Sequence, residues 1–169
     1  MKKPSNVLFF LILLLLKILI ISCANGTPVR DNKLSTTENA AAFYMVEGKE
    51  WVLSEVEGAG KTISLDRKKL EAAGFGEAFT INFENSRVSG MGAPNRFSGQ
   101  YTKGDNNSLN IGNMVSTRMA AFIEPEDLKE HEYFGYLSGV NRWSTQTGRL
   151  ELHCVNSNGL EAVLVFTKL

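Results

Sequence analysis

The side chains of this chain that could do chemistry are few. The sequence contains two cysteines, Cys23 and Cys154, and two histidines, His131 and His153. The histidines lie far apart, and neither has a second ligand at the spacing of a metal site. Ser116 could pair with a distant histidine, but the G-x-S-x-G motif of a nucleophile elbow is missing. We therefore predict no catalytic residue, no metal site and no cofactor, and we do not expect an enzyme.

Cys23 follows a segment that differs from the rest of the chain. Lys2 and Lys3 precede an apolar run from Val7 to Leu16, and residues 20–23 read Ile-Ile-Ser-Cys. A basic start, an apolar core and a small residue before the cleavage point are typical of a secretory signal. Residues 20–23 resemble the lipobox of bacterial lipoproteins. That resemblance implies cleavage before Cys23 and attachment of a diacylglyceryl group, which would anchor the protein to a membrane.

Two alternatives for this segment are less consistent with the sequence. An uncleaved membrane-spanning helix would use the fifteen residues 7–21, which at about 1.5 Å per residue fall short of a hydrocarbon core of about 30 Å. A simple signal followed by an ordinary thiol leaves the match to the lipobox unexplained. Ala24 stands where many inner-membrane lipoproteins have aspartate, which favours the outer membrane.

The organisation that follows has three parts. We predict a lipoprotein signal peptide over residues 1–22, the lipidated cysteine and a flexible tether over 23–47, and one folded domain over 48–169. An alternative for the end of the tether is that the last few residues of 40–46 add a strand or a helical turn to the domain.

The charge balance argues against one class of partner. The chain has 18 Lys and Arg against 18 Asp and Glu, and loss of the three lysines in residues 1–22 leaves a formal charge of −3. Because no strongly basic patch is evident, nucleic acid is not expected as a partner. With Cys23 lipidated, Cys154 has no cysteine to pair with, so the domain must depend on its core.

The pattern of the domain predicts short antiparallel strands. Residues 79–83 alternate between apolar and polar side chains, and turns are expected at 84–86, 104–107 and 156–159. In the two closing strands, alternate residues share an apolar face: Leu150, Leu152 and Cys154, then Leu160, Ala162, Leu164 and Phe166.

Helices are expected in two places. Asp66 is expected to cap a short helix that ends at Gly74. A longer helix is predicted over about 125–139, because Pro125 and its neighbouring carboxylates suit a helix N-terminus. The fold class is therefore α+β and mainly β, with one main helix.

The middle of the chain contains the candidate binding residues Asn95, Arg96 and Arg118. The glycines of residues 90–99 predict a turning loop. Asn95 is expected to satisfy backbone groups of this loop. Two roles are open for the arginines: they are structural, or they bind an anion or a peptide, since a guanidinium makes bidentate contacts with carboxylate or phosphate.

Two motifs in this region resemble the META domain family, also called the HslJ-like family. They are RVSGMGAPNRFSGQY at residues 87–101 and STRMAA at 116–121. The resemblance extends over residues 50–169 and implies a small antiparallel sheet or cracked barrel. Pro94 and Ala121 stand where the family often has cysteine, so a thiol role at that position is not expected here.

What the resemblance implies about function is an envelope role without catalysis. The family is loosely linked to stress and has no established catalytic activity. The chain is accordingly expected to be a membrane-anchored binding or interaction module, with an envelope protein as the possible partner. The alternative is a carrier of an apolar or lipid ligand, or a chaperone like the secretin-pilot lipoproteins, whose cracked barrels are similar.

Overall fold

The computed structural model describes residues 42–58, 60–120, 123–156 and 158–169. The predicted signal peptide, Cys23 and most of the tether lie outside the described residues. In the described part of the chain, no helix is both long and apolar enough to cross a membrane.

The described residues form ten strands and two helices. The strands are β1 (Glu50–Gly58), β2 (Lys61–Ser64), β3 (Thr80–Glu84), β4 (Arg87–Met91), β5 (Arg96–Lys103), β6 (Leu109–Ile111), β7 (Val115–Ser116), β8 (Val140–Gln146), β9 (Arg149–Val155) and β10 (Glu161–Lys168). The helices are α1 (Arg67–Ala72) and α2 (Glu130–Ser138).

All strand pairs are antiparallel, and the sheet curls into a nearly closed barrel. The strand order is β6-β5-β4-β3-β1-β10-β9-β8, with β2 paired to β1 and β7 paired to β5. The two ends of this order meet, because Ser108 bridges to Arg142 and the backbone N–H of Trp143 donates to the carbonyl of Asn107 at 3.0 Å. The predicted α+β, mainly β class is therefore confirmed.

Alternation along the closing strands places their apolar residues in the core. The predicted inward residues of β9 and β10 are buried: Leu150, Leu152, Cys154, Ala162, Leu164 and Phe166. Leu160 differs from the prediction and is 48% exposed, because it lies in the turn before β10 begins. Phe79 is also outside its predicted strand, since its φ of 59° is incompatible with extended backbone and β3 starts at Thr80.

The folded part of the chain begins earlier than the predicted boundary at residue 48. Ala42 starts a helical turn in which Phe43 and Val46 are fully buried. The Phe43 ring packs edge-on against Trp143, with the ring centroids 4.7 Å apart. The last residues assigned to the tether therefore belong to the domain. Sequence periodicity missed this because the contacts of Phe43 are with residues far along the chain.

Helix α1 was predicted accurately, whereas α2 begins later than predicted. The Asp66 carboxylate accepts the backbone N–H groups of Lys68 and Lys69 at 2.9 and 3.2 Å, as an N-cap does. Helix α2 starts at Glu130 rather than near 125, because the Glu132 carboxylate accepts the N–H of Lys129 and sets the first turn there.

Candidate functional site

The turn between β4 and β5 is shorter than the loop predicted over residues 90–99. Gly90 lies in β4 and Gly99 in β5, so only residues 92–95 form the turn. A Cβ on Gly90 would lie 2.1 Å from the Thr80 carbonyl oxygen of the neighbouring strand. This glycine is therefore required for a close approach of two strands and not for a turn.

The Asn95 side chain connects the turn to a distant segment. Its Oδ1 accepts the Thr117 hydroxyl at 2.8 Å and the Met119 N–H at 2.7 Å, and its Nδ2 donates to the Met119 carbonyl at 3.2 Å. The residue is 6% exposed. Asn95 was expected to satisfy backbone groups of its own loop. It binds the backbone groups of Met119 and the hydroxyl of Thr117 instead, so it connects the turn to a segment more than 20 residues away.

Glu130 is the residue of this site that sequence reasoning missed. Its Oε1 accepts the N–H groups of Ala93 and Asn95, each at 2.6 Å, and its Oε2 accepts the Asn95 Nδ2 at 2.7 Å. Carboxylates were expected to suit the N-terminus of this helix, whereas this one is half-buried and bound to the turn. An acidic residue in the first turn of a helix suits the dipole, but nothing in the sequence pattern links it to a turn 35 residues earlier.

The Arg96 residue lines an open groove beside this turn. The groove has a volume of about 640 Å³, and Arg96 is exposed. Polar side chains that line it with Arg96 are Glu50, Glu77, Thr80, Asn82 and Ser89. The groove thus combines one cationic group with two carboxylates, which suits a ligand that carries both charges.

Arg118 does not line the groove beside Arg96. The backbones of the two segments are adjacent, since Thr117 N–H donates to the Arg96 carbonyl at 3.0 Å and its hydroxyl accepts the Arg96 N–H at 3.1 Å. Arg118 is exposed but is not among the residues that line the groove. Among the residues described by the structure, neither guanidinium has a carboxylate within 4 Å. The structure therefore brings together Asn95 and the backbones of both arginines, but it does not join the two side chains in one pocket.

A second polar cluster lies on β8 and β9. The Ser144 hydroxyl donates to Glu151 at 2.8 Å, and its oxygen is 3.5 Å from Nε2 of His153. Burial lowers the pKa of His153, and the neighbouring Arg142 cation lowers it further. The Arg149 guanidinium and the Ser144 hydroxyl hold the pKa of Glu151 below its usual value. In this arrangement the Ser144 hydroxyl donates to Glu151, while its contact with the imidazole is at the long limit of a hydrogen bond.

Cys154 lies on the apolar face of its strand, as predicted, and His131 lies at the surface. Cys154 is 2% exposed, and burial raises the pKa of its thiol to about 11. His131 is exposed on α2. In the parts of the chain that the structure describes, no group of three or more His, Cys, Asp or Glu side chains is arranged to hold a metal ion.

Aromatic side chains fill the barrel interior. Phe43, Phe79, Phe83 and Tyr133 are 0% exposed. Phe79 and Tyr133 pack edge-on with their centroids 5.3 Å apart. Such a filled interior is the ordinary condition of a small barrel.

A family model shows which family the chain belongs to, and two solved structures share its fold. The family model of the META domain matches residues 44–167. An NMR structure of a protein from Burkholderia xenovorans is 25% identical, with a TM-score of 0.55, and the match covers 76% of this chain and 87% of that one. A crystal structure of a DUF4847 family protein from Bacteroides vulgatus shares 12% identity and a TM-score of 0.52, over 75% of this chain and 96% of that one, which shows likeness of fold alone. No curated protein matches the sequence.

Proposed function

The chain belongs to the META domain family. We propose that it is a lipid-anchored protein of the bacterial envelope, and of the two membranes we favour the outer one. Its domain is proposed to be a non-catalytic binding module with a stress-related role. Lipidated Cys23 supplies the anchor. The domain supplies the recognition surface. The observation that carries this assignment is the exposed Arg96 side chain, which lines the groove. We call the hydrogen-bonded pair Asn95 and Glu130, which lies next to Arg96, the Asn95–Glu130 junction.

The groove has the size and the rigid frame that recognition needs. Its volume of about 640 Å³ falls within the range of about 300–1,000 Å³ that is typical of ligand sites. Asn95, which precedes Arg96, is fixed through its backbone and its side chain. A partner segment would therefore bind an arginine whose backbone is already ordered, which reduces the entropy lost on binding.

The charges around the groove favour a peptide segment as the ligand. Arg96 can bind a carboxylate in a bidentate manner. Glu50 and Glu77 line the same groove and can pair with a lysine or arginine of the partner. An extended segment of an envelope protein that carries both charges satisfies this arrangement.

The alternative, a carrier of an apolar or lipid ligand, receives less support from the interior. A carrier needs space inside the barrel, whereas the core positions are occupied by fully buried side chains such as Phe43 and Phe83. A chaperone like the secretin pilots belongs to the same alternative, and its client would appear as a crosslinked partner.

Crosslinking in the intact envelope tests the proposed binding site. A photoreactive residue replaces Ser89 in the groove, and adducts are compared between the otherwise native chain and Arg96→Glu. We expect a discrete protein adduct that Arg96→Glu reduces at least about tenfold, as loss of a charged contact would. Arg118→Glu is expected to have a smaller effect, because Arg118 does not line the groove.

The matched control is Arg87→Glu, an exposed arginine of β4 that does not line the groove. It should leave the adduct unchanged, and thermal unfolding should be the same for all variants. An adduct that persists at full yield in Arg96→Glu would contradict the proposed site.

A further inference from the structure

Large apolar side chains are exposed in the segment that starts at β7. The side chain of Val115 is 68% exposed and that of Met119 is 59% exposed, whereas Phe97 on the adjacent strand β5 is 3% exposed. Apolar side chains that are exposed within one short segment are available for contact with a protein or a membrane. We call residues 115–119 the exposed loop.

The backbone of the exposed loop is fixed, so its side chains project in a defined direction. Val115 pairs with Ser98 of β5. Both backbone groups of Met119 are bound by the Asn95 side chain, its N–H at 2.7 Å and its carbonyl at 3.2 Å. Contact with a partner would therefore cost less ordering entropy than it would for a mobile loop.

The charge around this loop is unusual for the chain. Residues 106–123 contain no Asp or Glu, and Arg118 is their one charged residue. The first acidic side chains that follow are paired: Glu124 lies 3.7 Å from Lys129, and Glu126 lies 3.2 Å from Lys69. Apolar side chains can enter the boundary between headgroups and acyl chains, and each basic residue near an anionic surface adds to the attraction.

We propose that the exposed loop docks on the anionic lipid surface to which the protein is anchored. Val115 and Met119 enter the boundary between headgroups and acyl chains, and Arg118 binds lipid phosphates. The inference rests on the proposed anchor at Cys23, which keeps the domain near the bilayer and raises the effective concentration of this weak contact. Docking would give the domain one orientation on the membrane.

Quenching of tryptophan fluorescence by brominated lipids tests this inference. The full lipidated chain is reconstituted in phosphatidylcholine vesicles with and without phosphatidylglycerol, with bromine on the acyl chains. Trp51 and Trp143 are 2% and 3% exposed and buried in the domain, so they provide a constant background. A tryptophan introduced by Met119→Trp should be quenched in the anionic vesicles.

Two variants make the result specific. Leu160→Trp is the matched control, because Leu160 is 48% exposed and is followed by an acidic residue, Glu161. Its emission should not be quenched. Adding Arg118→Gln to Met119→Trp should lower the ratio of docked to undocked domain about fivefold, as expected for one basic residue near an anionic surface.

The possible outcomes separate this inference from the proposed anchor. Mass spectrometry of the same sample reports whether Cys23 carries lipid. If Cys23 is lipidated and the tryptophan at 119 is quenched no more than that at 160, docking is refuted and the anchor stands. If the emission of the tryptophan at 119 changes only after an envelope protein is added, docking on the lipid surface is also refuted. A chain without lipid on Cys23 refutes the anchor. Docking is then refuted as well, because it requires the anchor.

Discussion

The carboxamide nitrogen of Asn95 lies 2.7 Å from Oε2 of Glu130, and the backbone N–H of Asn95 donates to Oε1 of the same carboxylate at 2.6 Å. One acidic residue in the first turn of α2 thus binds both the main chain and the side chain of the β4–β5 turn. The exposed loop is held by this junction, because Asn95 also binds Met119 through its side chain. Arg96 of the proposed groove directly follows Asn95.

Asn95→Ala should lower the free energy of unfolding by about 2–4 kcal/mol. The change removes the side-chain hydrogen bonds to Thr117, Met119 and Glu130 and leaves both backbone groups of Met119 without their partner. Each lost bond costs on the order of 1 kcal/mol. Urea unfolding followed by tryptophan fluorescence measures the change. Asn110→Ala is the control, because Asn110 is exposed, and it should shift stability by less than about 0.5 kcal/mol. Equal stabilities of the two variants would mean that the junction contributes little.

Glu130→Ala should lower the free energy of unfolding by about 1–3 kcal/mol, because the N–H groups of Ala93 and Asn95 lose their acceptor. Glu130→Gln keeps one carbonyl acceptor and should cost less. Glu126→Ala serves as the control on the same segment. Its side chain is 83% exposed and pairs only at the surface with Lys69, so a change of at most about 1 kcal/mol is expected. A larger loss for Glu126→Ala than for Glu130→Ala would reverse the assigned roles.

Gly90→Ala should destabilise the domain by more than about 2 kcal/mol. The new Cβ would lie 2.1 Å from the Thr80 carbonyl oxygen and 2.9 Å from the Phe97 ring, so two strands must move apart. Gly135→Ala in α2 is the opposite case, because nothing lies within 4 Å of its Cβ position. It should raise stability by up to about 1 kcal/mol, since alanine favours a helix over glycine. Thermal unfolding of both variants measures this contrast.

Stability should fall as the pH decreases from about 6.5, and His153 should account for part of the loss. The pKa of His153 is lowered in the folded state by burial and Arg142, against the opposing fields of Glu151 and Glu161. Above pH 6.5 the histidine is neutral in both states and adds nothing. Below that value the unfolded chain takes up a proton that the folded chain resists, so the free energy of unfolding falls until the lowered pKa is reached.

The variant His153→Gln should lack this component. Urea midpoints measured between about pH 4 and pH 8 should converge for wild type and variant at the acidic end of the window if the substitution itself is mildly destabilising. Glu151 affects stability at lower pH than His153 does. Its pKa is lowered in the folded state, so the stabilisation that its carboxylate provides is lost as the pH falls through that folded pKa. An identical pH profile for both proteins near pH 6 would show that His153 does not contribute.

The sequence predicted the elements that local patterns determine. These elements depend on residues that are close together in the sequence. They are the Asp66 cap, the alternating faces of β9 and β10, and the end of α2 at Gly139. Motifs of glycine, asparagine and arginine located the region of the site. They also identified Asn95 as a residue that satisfies backbone groups.

What the sequence could not predict depends on contacts between distant residues. Phe43 is in no periodic run, and its place in the core is determined by Trp143, which lies 100 residues away along the chain. Gly90 suggested a turn, whereas its role follows from the close approach of Thr80 on another strand. The partnership of Glu130 with the β4–β5 turn likewise arises only when α2 packs beside that turn.

The chemical state of Cys23 tests the central claim most directly, because the proposed envelope location and the docking of the exposed loop both require the anchor. The chain should be isolated from bacterial membranes and its N-terminal peptide analysed by mass spectrometry, with Cys23→Ser as the control. We predict a mature chain that begins at Cys23 and carries a diacylglyceryl thioether, and a Cys23→Ser chain that keeps its signal segment and has no added lipid. A membrane-derived chain with an unmodified Cys23 thiol, or one that is cleaved at another position, would contradict the account.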